Sequence, residues 1–295
     1  MTSGGKVFVA LAALFWGLSG GIGGILIGDG WDVFVVSFYR GAIGLLFVII
    51  WLALRPEGSG FGSLKFWLWS VVAGLGVAGN FSFYFISIEQ GSVAVAAALM
   101  YSAPVFVYLV SFVLKIEKPS ALKMGAVVVV IAGIVLLTQI YKVGSGSITP
   151  LGVAAGLLAG ISYAAFIFGF KFAAPHGTPQ SILTIAFAVL VVVLFLPSDD
   201  NQVTGALGSP DWYLFVTLGA LGAGISFYLY VTGLNHIEPG VASIEAMVEP
   251  VTATIFGIII LNESLAGIQI LGMALILTAV TVMGVYSQAQ KKSYD

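Results

Sequence analysis

The chain has 295 residues, of which 59% are hydrophobic and only 8% charged, with a formal net charge of −2. Soluble domains carry about 25% charged residues, so this composition excludes a soluble, secreted or disordered protein and predicts a multi-pass membrane protein. Cysteine is absent, which excludes disulfides, thiolate metal sites and a thiol nucleophile.

Apolar stretches long enough to cross a bilayer, about 20 residues each, occur ten times along the chain. Turn residues and charged residues separate them. The first stretch is too long for the apolar region of a signal peptide, so we interpret it as a transmembrane helix. The ten predicted spans cover residues 6–27, 33–54, 64–87, 92–114, 121–140, 149–171, 178–196, 212–235, 240–261 and 266–286.

The eleven basic residues predict the orientation of these spans. Cytoplasmic loops of membrane proteins are enriched in Lys and Arg. With a cytoplasmic N-terminus, the outer segments hold only Lys142, and Arg40 lies inside a span. The other nine are then cytoplasmic: Lys6, Arg55, Lys65, Lys115, Lys118, Lys123, Lys171, Lys291 and Lys292. We therefore expect both termini in the cytoplasm.

The two halves of the chain resemble each other at an offset of about 146 residues. The matching pairs are Ser82-Phe83-Tyr84 with Ser226-Phe227-Tyr228, Val95-Ala96 with Val241-Ala242, Pro104 with Pro250, Glu117 with Glu263, and Gly125 with Gly272. We interpret residues 1–141 and 149–287 as two five-helix repeats, joined by a linker (142–148) and followed by a cytoplasmic tail (288–295).

Five spans per repeat is an odd number, so the second copy enters the membrane inverted. Inverted repeats are typical of secondary transporters, which hold the substrate near the midplane between the repeats. The predicted fold class is an all-α membrane protein with ten transmembrane helices around a central cavity. The alternative is that duplication only built a stable helix bundle.

In this order and spacing, short motifs in both halves resemble the drug/metabolite transporter superfamily, in its ten-span branch of paired five-helix repeats. Within it, the chain is most similar to bacterial exporters of aromatic amino acids. The motifs are Phe15-Trp16-Gly17, Phe38-Tyr39-Arg40-Gly41, Tyr84-Phe85-Ile86-Ser87, Ser102-Ala103-Pro104-Val105, Ile116-Glu117-Lys118, Glu249-Pro250-Val251, Leu261-Asn262-Glu263-Ser264 and Gly272.

The resemblance implies a central cavity lined by spans one, three, four, six, eight and nine, with spans five and ten at the periphery. It also implies transport by rocking of the two halves and a location in the bacterial inner membrane. The second copy departs from the first, because it has no arginine equivalent to Arg40 and adds Glu245 and Glu249. A strictly symmetric binding site is therefore not expected.

Three charged residues lie clearly inside predicted spans, away from the span ends, where a charge costs about 2.5–3.5 kcal/mol and so indicates a cavity or a partner. Glu245 and Glu249 are four residues apart and share one helix face, and Arg40 is the available cation. If Arg40 pairs with one carboxylate, the other is free for a substrate ammonium or a transported proton. The alternative is an Arg–Glu pair that only holds helices together.

Prolines, aromatic residues and one amide complete the candidate site. Pro104 and Pro250 lie mid-span, where each removes a backbone hydrogen bond, so we expect kinks that act as hinges. Aromatic faces and polar groups within the spans suit a flat, amphipathic solute. The substrate-binding candidates are Trp16, Asn80, Phe83, Tyr84, Tyr101, Tyr163, Tyr228 and Glu245.

The sequence predicts a secondary exporter of small amphipathic metabolites, foremost aromatic or other neutral amino acids. In this hypothesis Glu245 binds the ammonium, and Asn80 or Arg40 binds the carboxylate. The alternatives are efflux of cationic aromatic drugs, an intramembrane lipid-modifying enzyme, and a non-transporting scaffold or receptor. No ATP-binding, metalloprotease or serine-nucleophile motif occurs, so we expect no enzyme activity, cofactor or metal, and no nucleic-acid partner. The expected partners are a small-molecule substrate and the lipid bilayer.

Overall fold

The computed structural model describes residues 3–56, 58–115, 120–139, 148–234, 236, 245–246 and 248–292, and within them it is helical with no strand. The helices of the first half are α1 (Ser3–Gly28), α2 (Val33–Leu54), α3 (Leu64–Glu89), α4 (Val93–Met100), α5 (Ala103–Val113) and α6 (Ala121–Thr138).

The second half begins with α7 (Pro150–Ala173), α8 (Pro179–Phe195) and the short α9 (Asp200–Gly205). Then α10 (Trp212–Gly219) passes through a π-helical segment (Ala220–Ile225) into α11 (Ser226–Leu234). The last helices are α12 (Val248–Ile259) and α13 (Gly267–Lys292), and short 3₁₀ turns cover Ala174–His176 and Ala206–Gly208.

The predicted spans coincide with apolar helical segments. Within the described residues, eight of these segments are long and apolar enough to cross a bilayer, and two further apolar helices, Pro179–Phe195 and Val248–Ile259, are shorter. The chain is therefore an all-helical, multi-pass membrane protein by length and composition. The total of ten spans stays a prediction, because α8 and α12 do not reach the required length within the described residues.

Hydroxyl and carboxylate side chains begin many of these helices by capping unpaired backbone N–H groups. Asp32 accepts hydrogen bonds from Phe34 N (2.9 Å) and Val35 N (3.1 Å) at the start of α2. Ser92 and Thr149 cap α4 and α7 in the same way. These caps satisfy backbone N–H groups that have no partner within the helix, and they fix where each helix starts.

The fourth predicted span is interrupted three residues before Pro104. Helix α4 ends at Met100, Tyr101 and Ser102 form a turn, and α5 begins at Ala103 with the proline in its first turn. A proline lacks the N–H that would bond to the carbonyl four residues earlier, which here is that of Met100. The predicted kink is thus a break between two helices, and its role as a hinge stays a prediction.

The two halves interlock rather than stand side by side. Helix α3 packs mainly against α7 and also against α8, while α1 packs against α11 and α12. Helix α4 contacts both α7 and α12, and α2 lies against α8. The packing of α3 against α7 is matched by the packing of α11 against α1, and these are corresponding helices of the two predicted repeats.

Helices α6 and α13 pack chiefly against each other, at the position that the resemblance assigns to spans five and ten. A Cβ built on Gly133 would lie 2.8 Å from the Gly272 carbonyl oxygen, and one on Gly272 would lie 2.6 Å from that of Gly133. Only glycine lets the two backbones approach this closely, as is common where membrane helices cross.

Some predicted features lie outside the described residues. These are Glu117, most of the 142–148 linker, and the start of the ninth span at 240–244. At the other end, α13 continues to Lys292, past the predicted end at 286. The extension contains Gln, Ala and Lys, which are good helix formers, so part of the expected tail is helical.

We expect Gly133→Ala to lower the melting temperature by several degrees, because its methyl group would force the α6 and α13 backbones apart. The matched control is Gly125→Ala in the same helix, where a Cβ would meet nothing within 4 Å. Alanine favours a helix by about 1 kcal/mol over glycine, so this control should be neutral or stabilising. Equal melting temperatures for the two variants in detergent would contradict the close crossing.

Candidate functional site

Two opposite charges are buried inside the helix bundle. Arg40 on α2 is 5% exposed and Glu249 on α12 is 7% exposed. They interact electrostatically, yet among the described residues neither forms an ion pair. An unpaired buried charge is costly in a membrane protein, so both side chains need other partners.

The Arg40 guanidinium is held by a backbone carbonyl and an aromatic ring. Its Nε–H and Nη2–H donate to the Gly222 carbonyl oxygen at 3.3 and 3.2 Å, and its central carbon lies 3.9 Å from the centroid of the Phe81 ring. Gly222 belongs to the π-helical segment, where the i→i+5 register departs from regular α-helical bonding. A Cβ on this glycine would lie 2.8 Å from Arg40 Nε, so glycine leaves the space for the guanidinium.

The Glu249 carboxylate is held by the hydroxyl of Tyr101, at the break between α4 and α5. This hydroxyl donates to Glu249 Oε2 at 2.7 Å and lies 2.9 Å from the Ala246 carbonyl oxygen. Pro250, four residues after Ala246, has no N–H to offer that carbonyl. The tyrosine therefore joins the first half to the carboxylate and to the proline-altered turn of the second half.

Aromatic side chains surround the two charges. The Trp16 ring lies 5.0 Å from the Tyr230 ring and 5.4 Å from the Phe227 ring, measured between centroids. Tyr163 and Tyr230 lie near Glu249. The Trp16 indole nitrogen is buried and has no hydrogen-bond partner in the described part of the chain, so it is a donor available to a solute.

Most of the predicted site residues come together here. Tyr84 interacts electrostatically with both Arg40 and Glu249 and lies against Gly20 of α1. Asn80 is buried, and its amide nitrogen donates to the Ala159 carbonyl oxygen at 3.1 Å. Asn80 thus joins α3 to α7, and this bond uses part of its donor capacity. Phe83 is half-buried and packs at the edge of the hydrophobic core.

Tyr228 does not join this group. Its side chain is 48% exposed, and its ring packs against Trp51 at 5.3 Å on the outer surface. The preceding residue, Phe227, is the one that faces inward, where it contacts Trp16. Successive residues of a helix point about 100° apart, so only one of this pair can face the interior.

Glu245 is half-buried, and no described residue forms a hydrogen bond or an ion pair with its side chain. The carboxylate that the structure places against Tyr101 and near Arg40 is Glu249. Sequence reasoning also missed Gly222 and Phe81 as partners of Arg40. No charge or polar side chain marks either residue, so the sequence carried no signal for them.

A second carboxylate connects the halves at one end of the bundle. Glu263 follows α12 and accepts hydrogen bonds from Val93 N (2.6 Å) and Ala94 N (3.2 Å), the first amides of α4. A negative charge at a helix N-terminus satisfies unpaired donors and is favoured by the helix dipole. Glu263 of the second half therefore caps a helix of the first half.

Comparison with known proteins decides the family. The sequence model of the EamA-like transporter family matches residues 3–139 and, separately, 150–285. The chain belongs to this family. It is therefore a membrane transport protein of the drug/metabolite transporter superfamily, as the motifs indicated, and not an enzyme.

Relatives cover nearly the whole chain at low identity. An uncharacterized transporter of Archaeoglobus fulgidus is 27% identical over 94% of this chain and 95% of its own length. The inner membrane transporter YicL of Salmonella typhimurium is 25% identical over 99% of both chains. The threonine/homoserine exporter RhtA of Salmonella typhimurium is 26% identical over 70% of this chain and 67% of its own.

The fold also matches a solved crystal structure, with a TM-score of 0.62 over 98% of this chain and 99% of the other. The two sequences are 18% identical, so this similarity concerns the fold alone.

We expect Glu263→Ala to destabilise the protein by about 1–2 kcal/mol, because two backbone amides of α4 lose their shared acceptor. The control is Glu89→Ala, an exposed carboxylate at the end of α3. Thermal unfolding in detergent should show a lower midpoint for Glu263→Ala only. Identical midpoints for both variants would show that the cap adds nothing to stability.

Proposed function

We propose that this transporter exports small amphipathic metabolites, foremost aromatic or other neutral amino acids, by alternating access. The observation that carries the proposal is the buried pair Arg40 and Glu249: opposite charges, close enough to interact, and not paired with each other. A zwitterionic amino acid carries the complementary pair of charges on one carbon atom. It satisfies both groups at once and adds no net charge to the bilayer interior.

In this proposal Arg40 binds the substrate carboxylate and Glu249 binds its ammonium. The sequence had favoured Asn80 and Glu245 for these roles. The revision rests on the amide of Asn80, which already bonds to Ala159, and on the burial of Glu249 beside Tyr101. Trp16, Tyr84, Tyr101 and Tyr163 supply flat faces and hydroxyls for the substrate side chain.

We further propose ten spans in two inverted five-helix repeats. Separate matches of one family model to residues 3–139 and 150–285 support the duplication. The reciprocal packing of α3 on α7 and α11 on α1 supports a two-fold relation between the halves. Arg40 comes from the first half and Glu249 from the second, so substrate binding would draw the halves together. The distribution of the basic residues favours cytoplasmic termini, and YicL is named as an inner membrane transporter, which supports the same location for this chain.

Neutral amino acids are supported by RhtA, whose name gives threonine and homoserine as its substrates. The aromatic wall around Trp16 favours larger side chains within the same class. Arg40 disfavours the alternative of cationic aromatic drugs, because its positive charge would repel a cationic solute in the same site.

Counterflow in liposomes should show that unlabelled tryptophan or threonine competes for labelled tryptophan, whereas nucleosides and cationic dyes do not. We expect Arg40→Gln and Glu249→Gln each to reduce this flux at least tenfold, because each removes a charge-assisted hydrogen bond. Tyr228→Phe is the matched control on the outer surface and should leave the flux unchanged.

Modified substrates test which residue binds the substrate carboxylate and which binds the ammonium. Tryptophanamide lacks the carboxylate, so its competition should be weak and should change little in Arg40→Gln. N-acetyltryptophan lacks the ammonium and should respond in the same way to Glu249→Gln. Competition by cationic dyes but not by amino acids would indicate the drug-efflux alternative, and no competition by any solute would indicate a scaffold or receptor.

We also propose that Glu249 carries the coupling proton. It is the buried carboxylate at the junction of the halves, and its partner Tyr101 lies at a helix break. A proton gradient directed opposite to the substrate should accelerate wild-type export severalfold. Glu249→Gln should lose this dependence, while Glu245→Gln keeps it. A wild-type flux indifferent to the gradient would contradict coupling and indicate a uniporter.

A further inference from the structure

A groove of about 300 Å³ lies on the outer surface between α2 and the second-half helices, apart from the candidate site. Phe47, Ile50, Trp51 and Leu54 of α2 form its apolar wall, and Tyr228 closes the opposite side. Arg55 lies at one end, immediately after the last residue of α2. The groove is therefore apolar along its length and positively charged at its end.

The Arg55 side chain is available while its backbone is held in place. Its N–H bonds to the Trp51 carbonyl oxygen at 3.1 Å, and its carbonyl oxygen accepts a hydrogen bond from the Gln180 side chain at 2.9 Å. Its side chain is exposed, and no described residue forms a hydrogen bond or an ion pair with the guanidinium. This is a fixed cation at the end of a span, the level at which bilayer headgroups lie.

The apolar wall is open to the lipid. Ile50 is 59% exposed and Leu54 is 76% exposed, and they lie on the same side of α2 as Trp51. From Phe47 to Arg55 the helix rises about 12 Å, at about 1.5 Å per residue. An acyl chain that lies along this wall therefore has its headgroup at the level of Arg55.

We infer that this groove binds one anionic phospholipid, with the phosphate at Arg55 and an acyl chain along α2. Basic pockets between membrane helices bind anionic headgroups. Guanidinium groups match phosphate oxygens in a two-pronged geometry. A zwitterionic lipid is disfavoured, because its headgroup brings a cation next to Arg55. The rings of Trp51 and Tyr228, in edge-to-face contact, are amphipathic and suit the boundary between headgroup and acyl chain.

The groove and the candidate functional site share the π-helical segment. Gly224 lines the groove, and it lies in the same π-helical segment as Gly222, which holds Arg40. The inference itself requires only lipid binding and does not depend on the proposed substrate.

The test is lipid binding to the purified full-length protein, measured by native mass spectrometry with phosphatidylglycerol and phosphatidylcholine. Wild-type protein should retain phosphatidylglycerol about fivefold more than phosphatidylcholine, the preference expected for one basic residue near an anionic headgroup. Arg55→Gln should abolish this preference. Ile50→Trp should reduce binding of both lipids by filling the groove.

Lys65→Gln is the matched control, because it removes an exposed cation near the start of α3, at the same end of the bundle, that does not line the groove. It should leave the preference unchanged. Equal retention of both lipids by wild type would overturn the inference, as would an equal loss of preference in Lys65→Gln and Arg55→Gln. Competition by glycerol phosphate as strong as that by the lipid would also overturn it, since the apolar wall would then contribute nothing.

Discussion

A guanidinium group inside a membrane protein needs hydrogen-bond acceptors or aromatic rings as partners. The contacts of Arg40 with such partners join the two halves at the centre of this bundle. Its donors reach a carbonyl at Gly222, across the boundary between the two halves, and its face rests on the Phe81 ring. Gly222 lies in a π-helical segment, between two stretches of regular α-helix. The Arg40 charge is thus satisfied without a carboxylate, and among the described residues the side-chain hydrogen bond to Glu249 comes from the Tyr101 hydroxyl.

The carboxylate and the cation belong to different repeats, and each is held by an element that departs from regular helix. Arg40 depends on the π-helical segment, and Glu249 depends on Tyr101 at the break between α4 and α5. Irregular backbone in a membrane is tolerated where it is buried in protein or lines a cavity. Both charged groups therefore lie beside irregular backbone that is buried inside the protein.

Much of the fold could be predicted from the sequence, because apolar runs and their separators mark helices directly. The bounds of α2 match the predicted span at both ends, and the break before Pro104 follows from the missing proline N–H. The site was harder to predict. Intramembrane charge identified Arg40 and Glu249 as candidates but did not distinguish Glu249 from Glu245.

The remaining errors have a common physical origin. Phe227 and Tyr228 differ by a single step around the helix, and hydropathy does not tell which of two adjacent aromatic residues faces inward. The π-helical segment consists of small and apolar residues that read as an ordinary helix. The Gly222 carbonyl in this segment accepts hydrogen bonds from Arg40, which comes from a distant part of the chain, and no local pattern encodes that contact.

The interlocking of the halves has a consequence for biosynthesis. Helices α1 and α3 find their main partners in α11, α12, α7 and α8, all of which the ribosome makes later. Until those helices enter the bilayer, the inward faces of the early helices, with Arg40 among them, must be shielded by lipid, water or the insertion machinery. The bundle is therefore completed late, because the first half enters the membrane before its packing partners in the second half have been translated.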